Sequence, residues 1–217
     1  GWIPRLSTFV KREGTWLISA YAVPDAITVL LAGWLATRFG AARAMLVALI
    51  LFGIASVMCG MATTLGELVA FRMLQGLAGG PLVPLSQAII FTKYPKERSL
   101  GAMTMWTTTT TLAPAIGPLL GGYVCENWSW PWIFFINAPV VAVAAVMIWR
   151  LLYHRDPPPE KRPVDFTGFS MLVVWVGAAQ LMLDRGADLD WLQSRFILGL
   201  LIVAVVGPAQ VQSTLGH

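Results

Sequence analysis

Charge is what this sequence has least of. Only 12% of its 217 residues are Asp, Glu, Lys or Arg, about half the share of a soluble domain. By contrast 57% are hydrophobic, and the mean hydropathy is +0.69. A soluble core of this size cannot hide so much apolar surface, which excludes an ordinary cytosolic enzyme and a disordered chain. The pI of 9.4 rests on a net charge of only +4. Its basic residues are spread over loops between apolar stretches. That is the charge pattern of a membrane topology, and no nucleic-acid partner is expected. Two cysteines, Cys59 and Cys125, and two histidines, His154 and His217, give neither a metal spacing nor a redox motif. No cluster of acids, histidines or nucleophile–base pairs marks an enzyme site. A signal-peptide pattern is also missing, and the chain reads as an internal piece of something longer.

What is there is a series of apolar runs. About 20 residues of helix cross roughly 30 Å of hydrocarbon, and seven stretches qualify: 15–36, 44–62, 68–92, 100–125, 128–149, 166–183 and 196–215. No ten-residue alternating strands occur, so a membrane barrel is excluded. Backbone groups in lipid must bond internally, which leaves helices. The expected fold is all-α and transmembrane, a partial bundle of about seven spanning helices. Residues 1–4 read as the tail of a helix and Thr8 to Gly14 as a loop. The segment His154 to Asp165, with three consecutive prolines, reads as an extended solvated linker. It divides a five-span block, 1–153, from a two-span block, 166–217.

Alternate loops differ in basic content. Arg38, Arg43, Lys93, Lys96, Arg98, Arg150, Arg155, Lys161 and Arg162 fall on one side, against Arg5, Lys11, Arg12, Arg185 and Arg195 on the other. The richer side is expected in the cytoplasm, which puts the Pro-rich linker there too. Most tryptophans, among them Trp34, Trp128, Trp130, Trp132 and Trp149, lie near span ends as interfacial anchors do.

Two charges interrupt the spans. Asp25 lies about ten residues, or about 15 Å, into the first one, just after Pro24. A mid-membrane acid is a functional candidate by default; the plainer reading is a carboxyl group hydrogen-bonded to a neighbouring helix. Arg72 lies in the third span. Arg72, Gln75, Gly76 and Gly79 fall at i, i+3, i+4 and i+7, on one helical face. The glycines permit close helix approach and the polar pair is expected to face a cavity. The alternative is a snorkelling arginine with a packing face beside it. Thr107 to Thr111 put five hydroxyls in the fourth span. Most such hydroxyls bond their own i−4 carbonyls; some, with Thr107 and Thr111 as candidates, are expected to line the cavity. In the same span Gly117, Pro118, Gly121 and Gly122 combine a close-packing pair with a helix-bending proline. Gly33, Arg38, Gly40 and Arg43 form a basic, glycine-bounded turn after the first span.

These motifs together carry a resemblance. Gly33-Trp34-Leu35-Ala36-Thr37-Arg38-Phe39-Gly40 resembles the loop between helices two and three of the major facilitator superfamily, which usually has an acid where this chain has Thr37. The Arg72-x-x-Gln75-Gly76-x-x-Gly79 run resembles the fourth-helix motif of its proton-driven members. The Gly117-Pro118-x-x-Gly121-Gly122 run resembles the fifth-helix signature of its antiporters. Trp130-Pro131-Trp132-Ile133-Phe134-Phe135-Ile136-Asn137-Ala138-Pro139, Met182-Leu183-Asp184-Arg185-Gly186 and Asp190-Trp191 resemble the fourteen-helix drug:proton antiporters. In that register the chain supplies helices two to six and two truncated linker helices, with no complete helix one.

The resemblance implies a multi-pass inner-membrane exporter of small lipophilic, drug-like compounds. It would be driven by the proton gradient and need no cofactor. Arg72 becomes a proton-coupling candidate, and Asp25, where no family motif demands an acid, joins it on its depth in the span alone; Gln75, Gly76, Gly79, Thr107 and Thr111 are the cavity candidates. Gly117, Pro118, Gly121 and Gly122 become the conformational motif, and Gly33, Arg38, Gly40 and Arg43 the cytoplasmic gate loop. A periplasmic membrane-fusion adaptor and an outer-membrane channel are the partners it implies. Two alternatives are a transport-inactive piece of such an exporter and an uptake facilitator of the same fold.

Overall fold

A computed structural model describes residues 3–156 and 166–186. Among them the regular elements are helices, in the order α1 (Ile3–Phe39), α2 (Ala41–Met61), α3 (Leu65–Gly79), α4 (Leu82–Lys93), α5 (Lys96–Asn127), α6 (Trp132–Phe135), α7 (Asn137–Leu151) and α8 (Phe166–Gly186). A 3-10 turn, Tyr153–Arg155, follows α7. Among the described residues four stretches are long and apolar enough to cross a membrane: Leu17–Phe39, Ala41–Met61, Leu65–Lys93 and Trp132–Arg155. The longer α5 carries the threonine run, which lowers its apolarity. The expected linker core, 157–165, and the seventh stretch, 196–215, lie outside the described residues.

Three boundaries differ from the sequence reading. Thr8 to Gly14 is helix rather than loop, because α1 runs unbroken through it. Lys11, Arg12 and Glu13 form helix readily, and one glycine costs only about 1 kcal/mol. The third span breaks at Gly80-Pro81, where Pro81 has no amide hydrogen for the ladder. Gly80 and Pro81 keep right-handed helical dihedrals, so α3 and α4 still form one crossing. The fifth span breaks at Ile136, just ahead of Pro139, which cannot donate to the turn before it.

The helices pack through small residues. In α2, a side chain at Gly53 would press into Val141, and one at Gly60 into the ring of Phe135, so α2 lies tight along α6 and α7. Ala42, Leu49, Ile89 and Ile148 form one buried cluster, and Ala32, Ala44 and Leu85 another. The α8 helix lies along α1, with Gly177 at Ile27. Large apolar side chains cover the outer faces, among them Val47, Ile50 and Ile54 of α2 and Val140, Val143 and Met147 of α7. In water such a surface would be a liability; against lipid it is the expected one.

Candidate functional site

The site begins with a backbone contact. A Cβ on Gly76 would collide with the carbonyl oxygen of Tyr21, and one on Gly80 with the carbonyl of Asp25 and the hydroxyl of Thr28. Glycine at 76 and 80 therefore lets α3 lie directly on α1. One helical step away, a Cβ on Gly79 would come 3.0 Å from the Tyr21 hydroxyl and 3.4 Å from Asp25 Oδ1. The Thr28 hydroxyl donates to the Pro24 carbonyl at 2.9 Å and reaches the Gly76 carbonyl at 3.5 Å. This is the contact that brings the two charges of the spans near each other.

Arg72 does not pair with Asp25; among the described residues the ion pair within 4.0 Å is Lys93–Asp156. Tyr21 stands between the two charges instead. The Arg72 guanidinium lies over the Tyr21 ring, 4.6 Å from its centroid, and 5.8 Å from that of Phe134. The Tyr21 hydroxyl and Asp25 Oδ1 both approach α3 at Gly79, so the phenol lies beside the carboxyl group. Tyr21 and Asp25 are four apart, so one face of α1 presents both. Arg72 also donates from Nε to the Leu17 carbonyl at 3.4 Å and from Nη1 to Gln75 Oε1 at 2.9 Å.

From Gln75 the hydrogen bonds continue across the bundle. Its Nε2 donates to Ser56 Oγ at 2.9 Å, and Asn137 Nδ2 donates to the same oxygen at 3.1 Å. The Ser56 hydroxyl in turn donates to the Phe134 carbonyl at 3.2 Å. One donor and two acceptors are all a serine hydroxyl has, and all three are used. Ser56 is 0% exposed and Gln75 2%. Gln75, Gly76 and Gly79, expected beside a cavity, are thus placed in the helix contacts: Gln75 joins α3 to α2, and the glycines join α3 to α1.

Neither Ser56 nor Asn137 was a site candidate on sequence, although Asn137 lies in the Trp130–Pro139 run. Ser56 is the single hydroxyl of α2: the rest of the helix between Ala44 and Met61 is apolar, glycine or cysteine. That isolation was the available signal. Ser56→Ala should leave the buried Gln75 amide donor unpaired, at about 1–3 kcal/mol, and remove the partner of the half-buried Asn137 amide. A lowered unfolding temperature in detergent, with Ser56→Thr closer to wild type, would show it.

The other candidates scatter. Gly33 lies inside α1 and a Cβ there would meet nothing within 4 Å, so it is not the turn residue. Gly40 is: its φ of +93° is one that a side chain disfavours. Thr107 and Thr111 are exposed on α5, while Thr108, Thr109 and Thr110 donate to carbonyls one turn back. Gly117, Gly121 and Gly122 also meet nothing within 4 Å, so no described residue makes the close contact expected there.

A bundle of apolar, crossing-length helices built on backbone-to-backbone contacts, with a bonded polar network and two charges inside its spans, defines a polytopic membrane protein. The sequence pattern of the Major Facilitator Superfamily matches residues 9–215, and the chain belongs to that family. It is an EmrB-like member. It is 43% identical over 194 residues to the Fatty acid resistance protein FarB of Neisseria gonorrhoeae, and 43% identical over 194 residues to the Multidrug export protein EmrB of Escherichia coli (strain K12). Each match takes in 89% of this chain and 38% of the relative. The Probable multidrug resistance protein EmrY of Escherichia coli (strain K12) is 41% identical over 207 residues, 94% of this chain and 40% of the relative. The chain therefore spans about two fifths of the length of these relatives.

Proposed function

We propose that the full-length protein containing this chain exports lipophilic, drug-like compounds across the inner membrane in exchange for protons, by alternating access. The observation that carries the reading is the Arg72–Tyr21–Asp25 arrangement at the α1–α3 contact. A carboxylate within a span is expensive to keep charged and unpaired. Its neutral and ionised forms interact differently with Tyr21, so a proton there biases whichever bundle arrangement holds the phenol and carboxyl differently. The printed names of the relatives, two of them multidrug proteins and one a fatty acid resistance protein, support amphiphilic or lipophilic cargo. The Gly40 end, with Arg38, Lys93 and Arg155, faces the cytoplasm in this reading, and a periplasmic adaptor and an outer-membrane channel are the partners. A second reading applies to the chain by itself: the open Gly117 face of α5 favours a transport-inactive piece.

The test uses the full-length protein in cells stripped of their own exporters. Expression should lower the accumulation of a lipophilic dye, and a protonophore should restore it. Export that survives collapse of the proton gradient would refute exchange. Asp25→Asn keeps the shape and removes titration, so it should flatten the pH dependence of export. An unchanged pH profile would make Asp25 structural and put the proton site elsewhere.

A further inference from the structure

Asp156 follows the last turn after α7, in a segment that reads on sequence as the start of a solvated linker. Its side chain is 1% exposed. Oδ2 accepts from the backbone N–H of Arg43 at 2.9 Å, across 113 residues of chain. Arg43 is the third residue of α2, where amide hydrogens have no partner within the helix. Gly40 precedes that helix and supplies no side-chain cap. Asp156 is therefore the cap of α2, delivered from α7. A carboxylate also suits the positive end of the helix dipole.

The same carboxylate reaches a third element. Lys93 Nζ, in the last turn of α4, lies 3.4 Å from Oδ1 and donates to the Arg155 carbonyl. The Oδ1 contact is purely electrostatic, since that atom accepts no hydrogen bond. Behind it the Arg43 guanidinium lies 5.5 Å from the Tyr153 ring centroid. Gly40 completes the fit. A Cβ there would collide with Oδ2 and come 2.8 Å from Cγ and 2.9 Å from Cβ of Asp156. Position 40 must be glycine for two independent reasons, its positive φ and the carboxylate packed on it.

We propose that Asp156 is a positioning residue for transport: it locks the Gly40 turn to the ends of α4 and α7, so that the Gly40 end of the bundle moves as one body. The turn carries Arg38 and Arg43, and rocking one bundle against another requires such an end to be rigid. Without Asp156 the first turn of α2 loses its cap, Lys93 loses its counter-charge, and the turn is joined to α4 and the end of α7 by apolar contacts and the Arg43–Tyr153 ring contact.

The transport arm of the test rests on the export reading; the exchange arm does not. In the full-length protein in nanodiscs, Asp156→Ala should speed amide hydrogen exchange about tenfold at residues 41–45 and leave the middle of α1 and α3 at the wild-type rate. Asp156→Asn keeps an acceptor for Arg43 and should exchange nearly as slowly as wild type, while losing the attraction to Lys93. Dye export should fall in the order wild type, Asn, Ala at equal membrane levels. Exchange at 41–45 unchanged in Asp156→Ala would overturn the capping. Exchange raised evenly over all helices would reduce Asp156 to a general stabiliser. Local loosening with export at the wild-type rate would overturn the positioning role. If no variant, wild type included, exports dye, the export reading fails, and the local exchange pattern still decides the lock.

Discussion

Arg72→Ala in the full-length protein should abolish drug resistance while leaving the protein in the membrane. Four interactions converge on this side chain: the Leu17 carbonyl, Gln75 Oε1, the Tyr21 ring and the Phe134 ring. A hydrogen bond from a charged donor contributes about 1.5–3 kcal/mol, and a desolvated cation over an aromatic face about 2 kcal/mol. Alanine removes both and frees Tyr21 from the charge that fixes its ring. The hydroxyl that meets Asp25 then has no set position, and proton binding loses its grip on the α1–α3 contact. Proton uptake in vesicles on adding drug should disappear with resistance. Arg72→Lys should retain partial activity, because an ammonium keeps the charge but lacks the fork that serves α1 and Gln75 together. Wild-type coupling in Arg72→Ala would exclude the arginine from the proton path.

Gly76→Leu should be the most damaging single change to folding. The atoms it would strike are backbone: the Tyr21 carbonyl, with Tyr21 C at 3.1 Å and the Asp25 nitrogen at 3.3 Å. Backbone in a helix cannot swing aside as the end of a long side chain can, so α1 must move off α3. Overpacking costs about 1–3 kcal/mol where neighbours can adjust; here the main interhelical contact is lost as well. Little monodisperse protein should survive extraction into detergent. Gly117→Leu makes the contrast. Its surroundings are open among the described residues, so the unfolding temperature of this chain should not change. In the full-length protein the same substitution should abolish resistance with normal insertion, by adding bulk where α5 is expected to meet another helix. Retained resistance at wild-type expression would remove that packing role.

Much of the fold was legible because lipid simplifies the grammar. A long apolar run has one stable solution, and four of the seven expected stretches recur as apolar helices of crossing length among the described residues. What was hidden lay in single residues whose partners are far along the chain. The face of Arg72, Gln75, Gly76 and Gly79 could be read from helical spacing, but nothing in spacing says that Gly76 lies on α1 and Gln75 points to α2. Tyr21 carries no charge and belongs to none of the motifs, so nothing marked it; its place four residues before Asp25 was the available clue. Asp156 was masked by the prolines that follow it, whose extended character was assigned to the whole segment. The loop expected at Thr8 to Gly14 came from reading charge as a break, whereas charged residues such as Lys and Glu are good helix formers.

The two cysteines differ in a way that supplies a built-in probe. Cys59 is 0% exposed, with its sulfur 3.9 Å from Gln75 Oε1, so alkylating reagents cannot reach it without opening the α2–α3 contact. Cys125 is exposed on α5, four residues beyond Gly121. This chain thus carries one thiol shut inside a helix contact and one on an open helix face. The rate of alkylation at Cys125 reports, with no engineered label, whether the glycine face of α5 is covered when the rest of the transporter assembles around it.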